Sequence, residues 1–184
     1  MAFWSNHTSE AKRNYRFKIT MIPFGQANSI VWWAKTATLP SFSVSEIEHN
    51  HMDNKYYFPG RVSWETVSMT LVDPISPDAT DLLNKMLVDS GYIVPANENI
   101  AANKSTISKK KAAGLGLVKI EILDAEGKEI EIWELKNPFI QGATFGSLDY
   151  SSDDMKELEL TLRYDYATCT GGSGAPTRFE AKGS

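Results

Sequence analysis

Apolar and polar side chains alternate along most of this chain with a period of two. In the stretch Met155–Tyr166, Leu158, Leu160, Leu162, Tyr164 and Tyr166 alternate with Glu157, Glu159, Thr161, Arg163 and Asp165. That spacing predicts one long strand with an apolar face and a charged face. Tyr15, Phe17, Ile19 and Met21 against Arg16, Lys18 and Thr20 predict another. Between Ile30 and Leu39 apolar groups occupy both parities at one end, so a strand there needs cover on both sides before Pro40 ends it. In Val62–Val72, Val67, Met69 and Leu71 share a face while Trp64 has the opposite parity. Either both faces are partly covered or a bulge near Glu65 resets the pattern. Val118, Ile120 and Ile122 are answered by Ile130 and Ile132 across Ala125–Gly127, which predicts a hairpin. Phe139–Tyr150 holds spaced apolar positions for one more short strand.

Residues 44–60 alternate weakly and then turn polar, which predicts a protruding hairpin with a charged tip and an aromatic root. Gly60 is expected to supply a positive φ in a tight turn at its end. A helix is expected over 77–90: Ser76 can cap it, Pro77 and Asp78 suit its first turn, and Gly91 can close it in the left-handed conformation. Leu82, Leu83, Met86 and Leu87 form its apolar stripe. Seven to nine strands with a single helix make a mainly β protein, a β-sandwich or barrel with one flanking helix. Around a domain over 14–168 lie an arm over 1–13, a long polar loop over 95–114 carrying Lys109–Lys111, and a flexible, glycine-rich tail over 169–184.

Charge and composition narrow the function. A net charge of −4 over 184 residues gives no basic footprint for nucleic acid. No apolar run approaches the ~18 residues that span a bilayer, so membrane insertion is not expected, and neither is a signal peptide. One cysteine, Cys169, excludes an internal disulfide framework and fits a reducing compartment. His49 and His51, with Glu46, Glu48 and Asp53, form the nearest approach to a metal cluster, but a third nitrogen or sulfur ligand at familiar spacing is lacking. Asp153–Asp154 read as a turn, and Cys169 has no activating partner in sequence. The glycines around Gly114–Gly116 precede a strand where a dinucleotide fingerprint must follow one. No catalytic residue, metal site or cofactor is expected, so the chain is not read as an enzyme. Its tryptophans keep open a carbohydrate-binding sandwich. Half-charged strands, a long hairpin and exposed sheet edges instead make physical sense where many copies cover one another's edges.

Three segments, in this order and spacing, resemble the tail tube proteins of T4-like contractile-tailed bacteriophages. They are Tyr15–Met21 with Trp33–Pro40, Tyr57–Asp73 leading into the helix, and Asn137–Asp154 leading into Leu158–Tyr166. The resemblance covers about residues 12–168. It implies a tail-tube-like β protomer assembled as six-membered rings stacked into a hollow tube, with strands of all protomers forming one inner barrel. The implied partners are other copies of the chain, the tail sheath protein, and baseplate and tail-terminator proteins, with double-stranded DNA passing through transiently. The implied place is the phage tail of the virion, assembled in the host cytoplasm. Asp149, Glu157, Glu159, Arg163 and Asp165 are then candidate lumen-facing or interface charges. Phe3, Trp4, Glu46, Glu48, His49, His51, Asp53 and Lys55 are candidates for contacts between subunits or rings. The loop over 95–114 and the glycine-rich tail depart from the plain pattern, leaving open a tube-end protein near the baseplate or a bacterial contractile injection system.

Overall fold

The computed structural model describes residues 11–22, 30–32, 34–75, 79–92, 116–151 and 153–171. Among these residues, eleven strands and one helix follow in chain order: β1 (Phe17–Ile22), β2 (Ile30–Trp32), β3 (Ala34–Ala37), β4 (Phe42–His51), β5 (Asn54–Trp64), β6 (Val67–Val72), α1 (Ala79–Asp89), β7 (Leu117–Leu123), β8 (Glu129–Lys136), β9 (Phe139–Thr144), β10 (Glu157–Arg163) and β11 (Tyr166–Gly171). They form a five-stranded sheet ordered β11-β8-β7-β1-β2, a four-stranded sheet ordered β3-β6-β10-β9, and a separate ribbon of β4 and β5. Every pairing is antiparallel.

The core lies between the two larger sheets, where period-two alternation delivers one side chain in two. Ile19, Met21, Val118, Ile120 and Leu135 from one sheet meet Val67, Met69, Leu71, Leu158, Leu160 and Leu162 from the other, all essentially removed from solvent. Burying each such side chain contributes about 1.5–3 kcal/mol. Ala79, Leu83 and Met86 add the apolar stripe of α1 to the same cluster. Gly91 closes the helix at φ +106: its N–H donates to the Val88 carbonyl, and the Tyr92 N–H reaches back to Leu87. Ser76–Asp78 and the loop over 95–114 lie outside the described residues. What holds the start of α1 is Asp73, at the end of β6. Its carboxylate accepts from the Ala79 N–H at 3.2 Å, the Thr80 hydroxyl at 2.8 Å and Lys156 Nζ at 2.7 Å.

Several segments that alternate as single strands are divided between layers. Met155–Tyr166 is not one strand: β10 stops at Arg163, and the chain turns at Tyr164–Asp165 into β11 of the other sheet. The turn shifts the buried parity by one, so Tyr166 is half exposed and Ala167 and Cys169 are buried. Cys169–Gly171, expected in the tail, therefore belong to a strand, paired with Glu131–Trp133. β8 and β9 cross at the same corner, where Asn137 takes φ +52 ahead of buried Pro138. The Asp165 N–H donates to the Lys136 carbonyl at 3.0 Å, and Asn137 Nδ2 donates to Asp165 Oδ2 at 2.8 Å. Ile30–Leu39 likewise splits into β2 and β3 in different sheets, and Val62–Val72 splits at Glu65–Thr66 between the ribbon and β6.

Candidate assembly surfaces

The ribbon of β4 and β5 pairs with no other described strand, and its residues are exposed along almost its whole length. It begins at Phe42 and ends at Trp64, extending beyond the 44–60 limits that alternation marks out. Its root is tied to the body by the Glu65 N–H donating to the Ser41 carbonyl at 2.8 Å. Trp64 packs against the core, with its ring 5.4 Å from Phe42 and 6.1 Å from Tyr164.

The pairing slips by one residue between Val44 and Glu46, where Gly60 and Arg61 of β5 stand opposite the single residue Ser45, so the extra residue belongs to β5. Gly60 lies in this bulge. It is not the positive-φ turn residue expected, but a point of close approach. A Cβ there would lie 2.3 Å from Ser45 Oγ and 2.9 Å from the Ser45 carbonyl oxygen. Ser45 Oγ in turn accepts the Arg61 N–H at 2.8 Å.

The bulge has a consequence for the surface. β4 keeps its alternation, so Ile47 faces away from Val44, and on β5 the extra residue turns Phe58 and Tyr56 to the side opposite Val62 and Trp64. Phe42↔Trp64 and Val44↔Val62 therefore make an apolar patch on one side near the root, and Ile47↔Phe58 with His49↔Tyr56 a second patch on the other side toward the tip. Phe42, Val44, Ile47, Tyr56, Phe58 and Val62 are each about half exposed or more. Apolar patches left in water on both sides of one ribbon mark candidate contact surfaces. Glu46, Glu48 and Lys55 share the side of Val44, with Lys55 Nζ 2.8 Å from Glu48 Oε1. His49 and His51 share the side of Ile47 and Phe58, and Asp53 sits in the turn. The charged candidates of the hairpin are thus dispersed over both faces and the tip, and among the described residues no three His, Cys, Asp or Glu side chains are placed to hold a metal ion. Phe3 and Trp4 lie outside the described residues.

The outward face of the four-stranded sheet is of a different kind. Glu157, Glu159, Thr161 and Arg163 point away from the core on β10, beside Ser68 and Thr70 of β6 and Thr36 of β3. Lys35 Nζ lies 2.5 Å from Glu157 Oε1, and that hydrogen bond raises the pKa of Lys35. The Thr36 hydroxyl donates to that of Thr70 at 2.9 Å. Two cations and two carboxylates, Lys35, Arg163, Glu157 and Glu159, balance one another on a surface of small hydroxyls. Asp165 sits at the corner, and Asp149 lies in the connection between β9 and β10. Asp149 accepts the N–H of Ser151 at 2.9 Å and its hydroxyl at 2.8 Å, and these bonds hold its pKa below the usual value. So Glu157, Glu159 and Arg163 share a face, and the other two charges do not. The same connection exposes Leu148, Tyr150 and Met155. Gly146 turns it at φ +71 so closely that a Cβ would lie 2.6 Å from the Glu157 carbonyl oxygen.

The outward face of the five-stranded sheet carries ion pairs, most of them between strands. Lys18 Nζ lies 2.7 Å from Glu121 and 3.5 Å from Glu129, while Glu134 lies between Lys119 at 3.0 Å and Lys136 at 2.8 Å. Burial pushes the Glu134 carboxyl upward, but the two lysines outweigh it and the net shift is down. Its charges are satisfied within the protomer.

The edges of the two sheets differ in direction. Four antiparallel strands leave the edges β3 and β9 running oppositely, whereas five leave β2 and β11 running the same way. Side by side under a rotation, copies of the four-stranded sheet would meet antiparallel and copies of the five-stranded sheet parallel.

No protein-family model and no curated protein matches this chain. Solved structures do. A chain of the anti-feeding prophage baseplate, 6-fold symmetrised, superposes with a TM-score of 0.66 at 15% identity, over 89% of this chain and 98% of that one. A chain in the sheath/tube terminator of an extracellular contractile injection system gives 0.62 at 18%, over 89% and 99%. The crystal structure of an Hcp protein gives 0.51 at 10%, over 88% and 96%. At these identities the likeness is one of fold: a mainly β, tail-tube-like architecture shared with chains of contractile injection assemblies.

Proposed function

We propose that the protein is a structural subunit whose copies form stacked, open-centred hexameric rings: the inner tube of a contractile phage tail, through which the genome is delivered. The observation that carries this reading is the four-stranded sheet, whose edge strands among the described residues, β3 and β9, run in opposite directions. A heterologous contact that pairs β9 of one copy with β3 of the next can be repeated around a ring, and each junction is antiparallel, the slightly stronger mode. Closure leaves no unpaired edge. The outward face of that sheet then lines the passage. With hydroxyls and balanced charges, it offers phosphates no net cationic surface to adhere to, so a polyanion can slide past. The apolar patches of the ribbon find their cover on neighbouring copies.

The sheath protein, baseplate and tail terminator are the expected partners in the virion tail, with DNA in transit. A second reading is favoured by the fold neighbours themselves, which come from the anti-feeding prophage baseplate and from the sheath/tube terminator of an extracellular contractile injection system: the chain serves at a tube end, or in a bacterial contractile injection tube. Both readings assign a role in assembly and no enzymatic step. Negative-stain imaging at rising protein concentration tests them. Uniform rings or tubes with an open centre are expected, and monomers persisting at every concentration would overturn the proposal.

A further inference from the structure

The two ends of the sandwich carry opposite chemistry. One end holds a cavity of about 490 Å³, with Phe17, Ile122, Ala37 and Leu39 as its apolar floor. The Thr38 N–H donates to the Ser68 carbonyl at 2.9 Å, so Leu39 marks the end of the four-stranded sheet at which β6 begins. Among the described residues, Lys12, Arg13 and Arg16 bring three cations to the lining. Its one carboxylate, Glu131, is buried and already engaged by Lys12 and by Trp133 Nε1. The lining is positive in sum.

The connection between β9 and β10 lies at the other end, where the Asp73 N–H at the close of β6 donates to the Lys156 carbonyl at 3.0 Å. Leu148, 87% exposed, and Tyr150, fully exposed, flank Asp149 there. Asp149 draws its bonds from the backbone and hydroxyl of Ser151, a neutral partner, and so keeps its charge; Asp153 is exposed nearby in the chain. That turn, and Gly146 set against the Glu157 carbonyl, fix the shape of the loop. Two large apolar side chains are thus held in water on an acidic loop, with no cover inside the protomer.

We propose that this loop seats in the cavity of a second copy, head to tail. Leu148 and Tyr150 cover the apolar floor, and Asp149 and Asp153 meet Arg13 at the rim. The inference rests on the assembly reading above and adds the contact that joins one ring to the next. The loop cannot serve its own cavity, because the seven residues of β10 hold the two ends about 20 Å apart. In a closed sheet the strands tilt by about 35–45° from the axis, so the two ends of the four-stranded sheet face opposite rims of a ring. A site on one rim and its occupant on the other repeat without limit and give every ring of a stack the same polarity.

Crosslinking tests the contact, since the one native cysteine, Cys169, is buried. Protein carrying both Leu148→Cys and Leu39→Cys is oxidised mildly at concentrations where negative stain shows assemblies. A ladder of disulfide-linked dimers, trimers and longer chains is expected, because each copy offers one cysteine to the ring above and one to the ring below. Leu148→Cys combined with Thr168→Cys, in the middle of β11, is expected to give no ladder. Assemblies without the ladder, or equal ladders from both variants, would overturn the loop contact and leave the tube reading standing. Absence of assemblies for the unaltered protein at every concentration would overturn both. A charge exchange decides independently of the cysteines. Arg13→Glu is expected to raise the concentration needed for assembly about tenfold, and adding Asp153→Arg to the same chain to restore it. Failure of that rescue in folded protein would also overturn the contact.

Discussion

Replacing Asp73 with alanine detaches the start of α1 from the sheets. Three bonds are lost together: the helix-start bond to the Ala79 N–H, the bond from the Thr80 hydroxyl, and the ion pair with Lys156. A lost cap costs about 1 kcal/mol and a neutral hydrogen bond about 0.5–1.5. The Lys156 side chain is 39% exposed and regains water, so its pair adds about 0.5–1 kcal/mol. The total is about 2–3.5 kcal/mol, read as a lower urea midpoint at pH 7. The pH dependence has a definite sign. The bond from Lys156 lowers the Asp73 pKa, burial opposes it, and the bonds from Thr80 and Ala79 reinforce the lowering. A depressed carboxylate contributes stability above its unfolded pKa of about 4, and loses it as pH falls through the lower folded value. The difference between wild type and Asp73→Ala should therefore narrow below about pH 4. A loss under 0.5 kcal/mol at pH 7, or a difference that stays constant into acid, would refute the role given to this carboxylate.

Two further substitutions separate the body from the ribbon. Leu160→Ala, in the fully buried centre of β10, should cost about 3–5 kcal/mol in chemical denaturation, as expected for a truncated core leucine; a cost below 1 kcal/mol would mean that the two sheets are not packed as described. Gly60→Ala should leave the thermal midpoint of the body within a few degrees while abolishing ring formation in sedimentation, because the new Cβ displaces Ser45 and disrupts the bulge that sets the pairing of β4 with β5; rings of normal size would show that the ribbon is not what assembly uses.

The core was legible because burial and parity coincide. Val67, Met69 and Leu71, or Leu158, Leu160 and Leu162, need only a sheet with one wet side. The corners were not legible. A strand that leaves one sheet for another keeps alternating, and the break at Tyr164–Asp165 is set by bonds to Lys136 and Asn137, some 28 positions away. The apolar patches of the ribbon were half visible. Tyr56, Phe58, Val62 and Trp64 share one parity in the sequence, but the extra residue at Gly60–Arg61 puts the first two on the opposite side from the last two, while on β4 Val44 and Ile47 differ in parity, so the segment reads as irregular and the charges draw the eye. Among the candidate charges, Glu157, Glu159 and Arg163 stayed on one face because they lie inside β10, whereas Asp165 fell beyond its end. The cap supplied by Asp73 has a local signal, a carboxylate six residues ahead of the helix, but only the fold brings Lys156 to it.

The passages between layers also bear on how such a subunit carries load. Between β2 and β3, β8 and β9, and β10 and β11, the polypeptide itself is the thread that sews one layer to the other. Dragging one wall past its mate would stretch covalent seams instead of letting greasy surfaces slip. A particle stitched in this way transmits a thrust whole, and any yielding falls to the joints between neighbours.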